Sequence, residues 1–417
     1  MNYGLIAERV GHSFSAEIHK KLFGYDYELK AIGKNELESF LKNRDFKAIN
    51  VTIPYKEAVI KYLNYVNPDA LGIGAVNTIV NNGGMLYGFN TDSHGLVLLL
   101  KREAIDLNNK KVLILGSGGT SKTGLYVAEK SGCKSVFRVS RSNKDGCITY
   151  DDAIKMHADA EVIINTTPCG MFPDNGISAI EIDDFPSLSS VVDVVYNPLR
   201  SKLVTDALKK GIKAVGGLYM LVAQAAKAAE HFVGKSVEID KIDEIYLDIL
   251  RSKQNLVIVG MPGSGKTSTG RLVAEALGFE FVDSDVEIYN KVGKYPHEII
   301  NESGENSFRV IESEVITEIS KRQGIVISTG GGAILRSENV DALRANGRIY
   351  FLDRPLEDLR ITSDRPLSSD FESMKKRYDE RYDIYTSICD KQIFAVDGKQ
   401  LNANAILEDY LNEDSCN

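Results

Sequence analysis

Short apolar runs alternate with amphipathic and polar stretches along the whole chain. Runs such as KKVLILG, AEVIIN and NLVIVG end in glycines or polar clusters, a pattern typical of strands buried on both faces of a parallel sheet. Segments such as HGLVLLLKREAI and GLYMLVAQAAKAAEHFVG have the periodicity of helices. The regular alternation of the two predicts an α/β protein.

The first part of the chain consists of predicted strands that end in polar side chains. A strand in YGLIAERVG precedes HSFSAEIH and a helix, a strand in FKAINVTIPYK precedes a helix over EAVIKYLNYV, and GIGAVNTIVNNGGMLYGFNTD predicts a hairpin. Ser13 and Ser15 either cap a helix or hold a carboxylate at its N-terminus. Lys56 is usually read as a solvated charge, but a lysine held by Asp92 could protonate an alkoxide.

A second strand, turn and helix follow in KKVLILGSGGTSKTGLYVAEKSG. The glycines of this turn are Gly116, Gly118 and Gly119. The last glycine of G-x-G-x-x-G is absent, so the motif alone is a weak indication of dinucleotide binding. The next strand, SVFRVSRS, ends in Ser140, Arg141 and Ser142. A cation and hydroxyls at this place favour the 2′-phosphate of NADP over NAD, and the later strands predict a doubly wound sheet.

The stretch NLVIVGMPGSGKT contains a complete phosphate-binding motif between a predicted strand and a predicted helix. Gly260, Gly265, Lys266 and Thr267 fit G-x-x-x-x-G-K-T. Glycines allow backbone N–H groups to surround a phosphate, Lys266 can reach the β- and γ-phosphates, and the hydroxyl of Thr267 suits Mg²⁺. Because this motif normally begins a domain, the 417-residue chain is predicted to have at least two.

Further candidates lie after this motif. FEFVDSD predicts a strand whose end presents Asp283 and Asp285 to the same side, either as an exposed acidic turn or as groups serving Mg²⁺ through water and a substrate hydroxyl. ESGENSFRVIESEVI starts a predicted helix that carries Arg309. Three glycines after GIVIST leave N–H groups available to a ligand. The half of the chain that follows residue 253 is acidic. The arginines in its motifs are therefore stabilised most when they bind phosphates or carboxylates.

Composition indicates a globular protein with large cores. Hydrophobic residues make up 43% and charged residues 26%, and the net charge of −8 divides into +1 for residues 1–253 and −9 for residues 254–417. This balance argues against a nucleic-acid partner. No signal peptide or membrane span is apparent, so a cytoplasmic protein is expected. The five scattered cysteines predict neither zinc binding nor disulfides.

Up to about residue 250 the chain resembles shikimate dehydrogenase, through HSFSAEIH, NVTIPYK, GAVNT, GFNTD, GSGGTS, INTTPCGM, DVVYNP and GGLYMLVAQAA. The resemblance implies a substrate domain over 1–100 completed by 218–250, and an NADP-binding Rossmann-type domain over 101–217. It implies catalysis by Lys56 and Asp92. The implied substrate contacts are Ser13, Ser15, Thr52, Asn77, Asp92, Tyr196 and Gln224. The implied NADP contacts are Gly116, Gly118, Gly119, Thr120, Ser140, Arg141, Ser142 and Gly217.

Residues 251–417 resemble shikimate kinase, from the phosphate loop through DSD, ENSFRVIE, GGG, DRPL and RYDIY. The resemblance implies a P-loop domain with a parallel sheet. The implied shikimate contacts are Asp285, Arg309, Gly331 and Arg381. The implied ATP contacts are Gly260, Gly263, Ser264, Gly265, Lys266, Thr267, Thr269, Arg360 and Arg365. Lys266, Asp285 and Arg365 would be catalytic, and Thr267 and, through water, Asp283 would hold Mg²⁺. The lid between Arg360 and Arg365 is short, which would lower the rate.

Both resemblances imply one shared small molecule. The preferred interpretation is a bifunctional enzyme of the shikimate pathway that reduces 3-dehydroshikimate with NADPH and phosphorylates shikimate with MgATP. Two alternatives remain: the kinase-like half is a shikimate or nucleotide sensor, or the dehydrogenase acts on quinate. Small molecules are the expected partners, with neither nucleic acid nor membrane, and the sequence leaves a homodimer open.

Overall fold

The structure, a computed structural model, describes residues 1–11, 13–359 and 371–412. The chain divides into two compact units, Met1–Leu250 and Arg251–Asn417. Each unit has its own buried apolar core. In the described part of the chain, no helix has both the length and the apolar character needed to cross a membrane.

The first sheet of unit 1 is mixed, with the strand order β2-β1-β3-β5-β6-β4. Its strands are β1 (Tyr3–Ala7), β2 (Glu28–Ala31), β3 (Ala48–Val51), β4 (Tyr65–Val66), β5 (Thr78–Asn82) and β6 (Met85–Phe89). Its helices are α1 (Ser15–Phe23), α2 (Leu37–Asn43), α3 (Pro68–Ile73) and α4 (Asp92–Arg102). β5 and β6 form the predicted hairpin, because Gly83 and Gly84 both take positive φ angles at its turn.

The helix predicted over EAVIKYLNYV is wrong. This segment contains a short 3₁₀ turn, Ile60–Tyr62, and then β4, which pairs with β6. Asn64 fixes the pairing, since its N–H donates to Leu86 O and its Oδ1 accepts from Leu86 N, each at 2.9 Å. Pairing at the edge of the sheet therefore overrides the local helical pattern.

The second sheet of unit 1 is parallel, with the order β12-β11-β10-β7-β8-β9. Its strands are β7 (Lys111–Leu115), β8 (Ser135–Ser140), β9 (Cys147–Thr149), β10 (Val162–Asn165), β11 (Ser190–Asp193) and β12 (Lys213–Val215). The helices that begin in this unit after β7 are α5 (Gly119–Lys130), α6 (Tyr150–His157), α7 (Lys202–Lys209), α8 (Leu218–Val233) and α9 (Ile239–Lys253). The order reverses between β7 and β10, as in a doubly wound dinucleotide-binding sheet. Helix α8 packs against α1 and α4 of the first sheet.

The sheet of unit 2 is also parallel, with the order β14-β15-β13-β16-β17. Its strands are β13 (Asn255–Val259), β14 (Glu280–Asp283), β15 (Ile325–Ser328), β16 (Gly347–Asp353) and β17 (Lys391–Phe394). Its helices are α10 (Lys266–Leu277), α11 (Ser284–Val292), α12 (Pro296–Ile319), α13 (Ser337–Asn346), α14 (Phe371–Ile388) and α15 (Lys399–Asn412). Helices cover both faces, and the predicted α/β class with Rossmann-type and P-loop sheets is confirmed.

Candidate active sites

A buried ion pair joins the first two candidate catalytic residues. Lys56 follows β3 and Asp92 begins α4, and Lys56 Nζ lies 2.7 Å from Asp92 Oδ2. Their side chains are only 12% and 9% exposed. A charge so far removed from water needs a partner, which each supplies to the other. The structure thus brings together the two residues that were predicted to form the catalytic pair.

An amide and hydroxyl network fixes Asp92 from the other side. Asn77 Nδ2 donates to Asp92 Oδ1 at 2.9 Å and to Thr91 Oγ1 at 3.0 Å, and Thr91 N donates to Asn77 Oδ1 at 2.8 Å. Gln224 of α8 accepts from Asn77 and from Thr91, both at 3.4 Å. Three predicted site residues therefore meet here. Thr91 was not assigned a role from the sequence, because a polar residue at a strand end is equally typical of a turn.

Three other predicted residues meet at the start of α1. Ser13 Oγ donates to Ser15 Oγ at 3.0 Å and accepts from Ser15 N at 3.2 Å. Burial raises the pKa of Tyr196, and a hydrogen bond with Ser13 opposes that shift. Phe14, the N-cap of α1, makes no side-chain cap bond, whereas Ser13 Oγ accepts from the N–H of the first helical residue, Ser15. The hydroxyls are also grouped beside a helix N-terminus, where a carboxylate would be stabilised.

Thr52 lies directly after β3. Its N–H donates to Ile6 O at 3.1 Å, which continues the pairing of β3 with β1 past the end of the strand, and its carbonyl accepts from Tyr55 N at 2.9 Å. The backbone of Thr52 is thereby fixed four residues before Lys56.

The predicted dinucleotide turn connects β7 to α5. Gly116 has a φ of 124°, and a Cβ there would lie 2.5 Å from Thr166 Oγ1. A Cβ on Gly118 would meet nothing within 4 Å, so backbone N–H groups at this position are open to a pyrophosphate. A Cβ on Gly217 would lie 2.2 Å from Val194 O, so its role in the structure is close backbone packing. These features fit a dinucleotide.

The end of β8 presents the predicted cation. Arg141 is exposed, and no described residue forms an ion pair with it. Ser140 and Ser142 hydrogen-bond each other through Ser140 Oγ and the backbone of Ser142. These bonds fix the backbone of the loop, and the guanidinium of Arg141 remains available to a phosphate.

Asp193, at the end of β11, is a buried carboxylate that the sequence reasoning missed. It accepts from Asn165 Nδ2 at 2.8 Å, Val195 N at 3.0 Å and Ser201 Oγ at 2.5 Å. Burial raises its pKa to about 7, although these hydrogen bonds oppose the shift. Asn165 in turn accepts from the N–H and hydroxyl of Thr167 at 3.0 and 2.7 Å. Asp193 thus fixes the loops after β10 and β11.

The phosphate loop of unit 2 has the geometry that its glycines allow. Gly260, Gly263 and Gly265 have φ angles of 148°, 86° and 100°. Lys266 Nζ donates to the carbonyls of Gly260 and Met261, each at 2.9 Å. The hydroxyls of Ser264 and Thr269 are buried and have no hydrogen-bond partner within the described residues. Unpaired buried hydroxyls beside turned-in amides fit a polyphosphate.

Thr267 and Asp283 form the predicted metal-binding pair. Thr267 Oγ1 donates to Asp283 Oδ2 at 2.9 Å, an oxygen-rich arrangement that fits Mg²⁺. The prediction that Asp283 and Asp285 share one strand end is wrong. Asp283 ends β14 and caps α11 by accepting from Asp285 N at 3.1 Å, so Asp285 belongs to the first turn of that helix.

The predicted shikimate contacts of unit 2 surround the loop after β15. Cβ atoms on Gly330 and Gly332 would lie 3.0 Å from Asp285 Oδ1 and 2.2 Å from Arg309 Nη2. Tyr385 OH donates to Gly331 O and also hydrogen-bonds the buried Arg381. Asp285, Arg309, Gly331 and Arg381 therefore converge on one short turn.

Glu312 is the residue of this group that the sequence did not reveal. It is fully buried, and its Oε2 accepts from Arg309 Nη1 at 2.7 Å. Burial raises the pKa of Glu312, while the charge of Arg309 opposes the shift. The available signal was its position three residues after Arg309 in α12, but such pairs usually lie on solvated faces. Arg360, Arg365 and the lid that they delimit lie outside the described residues.

Comparison with known proteins identifies both units. The model described as "Shikimate dehydrogenase substrate binding domain" matches residues 5–79. The shikimate dehydrogenase (NADP(+)) of Clostridium perfringens (strain SM101 / Type A) is 36% identical over 265 residues, which are 59% of this chain and 97% of that protein. The chain belongs to the shikimate dehydrogenase family. The model described as "Shikimate kinase" matches residues 262–413, so unit 2 carries a shikimate kinase domain.

Solved structures of the family agree with the fold of the dehydrogenase unit. A chorismate mutase/shikimate 5-dehydrogenase fusion protein from Clostridium acetobutylicum is 35% identical, with a TM-score of 0.56 over 59% of this chain and 96% of its own. Shikimate 5-dehydrogenase from Thermus thermophilus, solved with NADP(H) and shikimate, is 29% identical, with a TM-score of 0.54 over 59% of this chain and 98% of its own. The predicted resemblance to this family is confirmed.

Proposed function

We propose that this chain catalyses two consecutive reactions of the shikimate pathway. The dehydrogenase unit reduces 3-dehydroshikimate to shikimate with NADPH, and the kinase unit phosphorylates shikimate to shikimate 3-phosphate with MgATP. The observation that carries the proposal is the presence, in one chain, of the buried Lys56–Asp92 pair and of the Arg309 and Arg381 cluster beside a phosphate loop. We propose the domain limits 1–100 with 218–250, 101–217 and 251–417.

In the dehydrogenase unit the residues of the chain manage charge on the substrate oxygen. NADPH, when bound, would supply hydride to the ketone carbon. The ammonium of Lys56 would stabilise the negative charge that develops on the ketone oxygen and donate a proton to it, while Asp92 keeps the lysine in place. Asn77 and Gln224 orient the ring hydroxyls, and Ser13, Ser15 and Tyr196 hold the carboxylate. Arg141 selects the 2′-phosphate.

In the kinase unit the residues position substrate and neutralise charge. MgATP, when bound, would supply the phosphoryl group, and Thr267 and, through water, Asp283 would hold the metal. Asp285 orients the attacking hydroxyl and accepts its proton. Arg309 and Arg381 hold the shikimate carboxylate.

To hold that carboxylate, Arg309 would have to give up one of the two glutamates with which it is paired. The difference in exposure between these glutamates suits such an exchange. Its contact with Glu305, at 2.9 Å, involves a glutamate that is 49% exposed, whereas Glu312 is 1% exposed. The substrate carboxylate would replace the outer glutamate and leave the inner one in place. The inner pair would keep the guanidinium oriented throughout.

The proposal is tested by incubating the purified chain with 3-dehydroshikimate, NADPH and MgATP and identifying products by mass spectrometry. Shikimate 3-phosphate is expected. Shikimate alone would revive the sensor alternative for the kinase unit, and no turnover of 3-dehydroshikimate would make quinate the next substrate to test. The family relationships do not favour either alternative. A cytoplasmic location and a homodimer remain proposals, to be tested by fractionation and light scattering.

A further inference from the structure

The first turn of α5 lies directly against the side chain of Lys56. A Cβ placed on Gly119 would come within 3.2 Å of Lys56 Cβ and 3.3 Å of Ala75 Cβ. The absence of a side chain at Gly119 therefore lets the lysine stem cross the helix at close range. Because α5 belongs to the dinucleotide-type sheet and Lys56 follows a strand of the other sheet, this contact joins the two halves of the dehydrogenase unit at its catalytic pair.

The ammonium of Lys56 makes a second hydrogen bond there. Lys56 Nζ donates to Asp92 Oδ2 at 2.7 Å and to Thr120 Oγ1 at 3.1 Å. An ammonium has three N–H donors in tetrahedral arrangement. With two of them directed to Asp92 and Thr120, the direction of the third is fixed, and that donor is the one left for a substrate oxygen.

Other contacts keep Thr120 in this position. Thr123 Oγ1 accepts from Asn90 Nδ2 at 3.2 Å, and Tyr126 OH donates to Asp69 Oδ1 at 2.6 Å. The two hydrogen bonds fasten α5 along two turns to the sheet that carries Lys56. Lys122 also forms an ion pair with Glu57, at 2.6 Å, but these side chains are 29% and 46% exposed, so the pair adds little to this hold. The threonine hydroxyl is therefore held in place by the helix.

We propose that Thr120 is a positioning residue for Lys56, in addition to any contact with the cofactor. Its hydroxyl accepts a hydrogen bond from one N–H of the ammonium, and this directs another N–H toward the ketone oxygen of the substrate. Thr120 belongs to the predicted dinucleotide turn from β7 into α5. The orientation of the Lys56 ammonium therefore depends on the position of this turn. The inference rests on the proposed reduction of 3-dehydroshikimate by this unit.

Three variants of the full-length chain test the inference. Thr120→Val replaces the hydroxyl by a methyl group of similar size, and Thr120→Ser keeps the hydroxyl. Lys122→Met is a matched control, because it removes an exposed contact of the same helix turn without touching Lys56. For each, kcat for 3-dehydroshikimate reduction and the Kd of NADPH, by isothermal titration calorimetry, are measured.

We expect Thr120→Val to lower kcat about tenfold, as for loss of a hydrogen bond to a charged group, while the Kd of NADPH changes less than twofold. Thr120→Ser should restore most of kcat, and Lys122→Met should match wild type. A raised Kd with unchanged kcat would show a cofactor role only. Equal losses in the valine and serine variants, or in Lys122→Met, would also overturn the inference. Failure of the wild type itself to turn over 3-dehydroshikimate would refute the proposed function instead.

Discussion

At the scale of single residues, Arg141 is proposed to distinguish the two nicotinamide cofactors. Its exposed guanidinium stands at the end of β8, where NAD-binding proteins present a carboxylate. Arg141→Ala should lower kcat/KM with NADPH by about tenfold or more and leave kcat/KM with NADH nearly unchanged, because only NADPH carries the 2′-phosphate. Lys144→Ala, three residues further on, is the charge-matched control. Equal losses with both cofactors would contradict the assignment.

Asp193 gives a second prediction, on stability. Burial raises its pKa to about 7, whereas an unfolded chain titrates its aspartates near 3.9. Between these values the folded protein binds a proton that the unfolded chain has lost, so the free energy of unfolding falls as the pH rises from about 4 to about 7. Asp193→Asn removes this titration. The half-inactivation temperature of the dehydrogenase activity is measured for the variant and for wild type from pH 5 to pH 8. The value for the variant minus that for wild type should increase with pH, and a difference that stays constant would refute the reasoning.

Residue chemistry could be read from the sequence where a motif carries it, and not where it depends on how elements pack. The resemblance pairs Lys56 with Asp92, and the need of a ketone reduction for a proton donor and a carboxylate to hold it supports this pair; the structure brings the two within 2.7 Å. Thr120 stood in a recognised turn, but its approach to Lys56 depends on how two sheets pack. Glu312 looked like any solvated helical glutamate until its burial was known.

At the scale of elements, the turn after β15 requires its glycines for space. A Cβ on Gly332 would lie 2.2 to 2.6 Å from the guanidinium atoms of Arg309. The φ of Gly332 is −103°, so alanine would cause no backbone strain, and only the arginine has to move. Gly332→Ala should raise the KM for shikimate at least tenfold and change the KM for ATP little. Gly293→Ala, at the end of α11 and with no atom near its Cβ, controls for general loss of stability, and a raised KM for ATP would contradict the prediction.

Elements built from local signals were predicted well, and those determined by partners were not. The apolar runs at β7, β10 and β13 became buried strands as expected. Helix α12 is interrupted at Gly304, whose φ of 83° and ψ of 163° are not helical, so the part that carries Arg309 begins close to the predicted start. The helical segment before it, from Pro296, was not predicted, although proline in the first turn and the bond from Tyr295 N to Glu298 signal its start. The strand β4 could not be predicted locally, because it exists only through its pairing with β6.

At the scale of the whole molecule, the two units should lose activity independently, since each has its own core. In the full-length chain, Lys56→Ala should abolish dehydrogenase turnover and leave shikimate phosphorylation intact, and Lys266→Ala should do the reverse. Both activities are assayed on each variant. Loss of both in either variant would contradict independence.

An equimolar mixture of these two variants also supplies a reference for transfer between sites. In the mixture, shikimate must cross the solution before it is phosphorylated. A wild-type chain that forms shikimate 3-phosphate with a shorter lag would show direct transfer, and an equal lag would exclude it. Because every chain in the comparison is full length, differences in folding do not confuse the result.

The position of Lys266 has a consequence for how its variants are read. Its ammonium donates hydrogen bonds to the carbonyl oxygens of Gly260 and Met261, two consecutive residues at the start of the loop. The residue that is proposed to attract phosphate therefore also holds the loop through two hydrogen bonds, and an entering anion would have to replace them. Substitution of Lys266 would alter the shape of the phosphate loop as well as its charge. A loss of affinity would then measure preorganisation and attraction together.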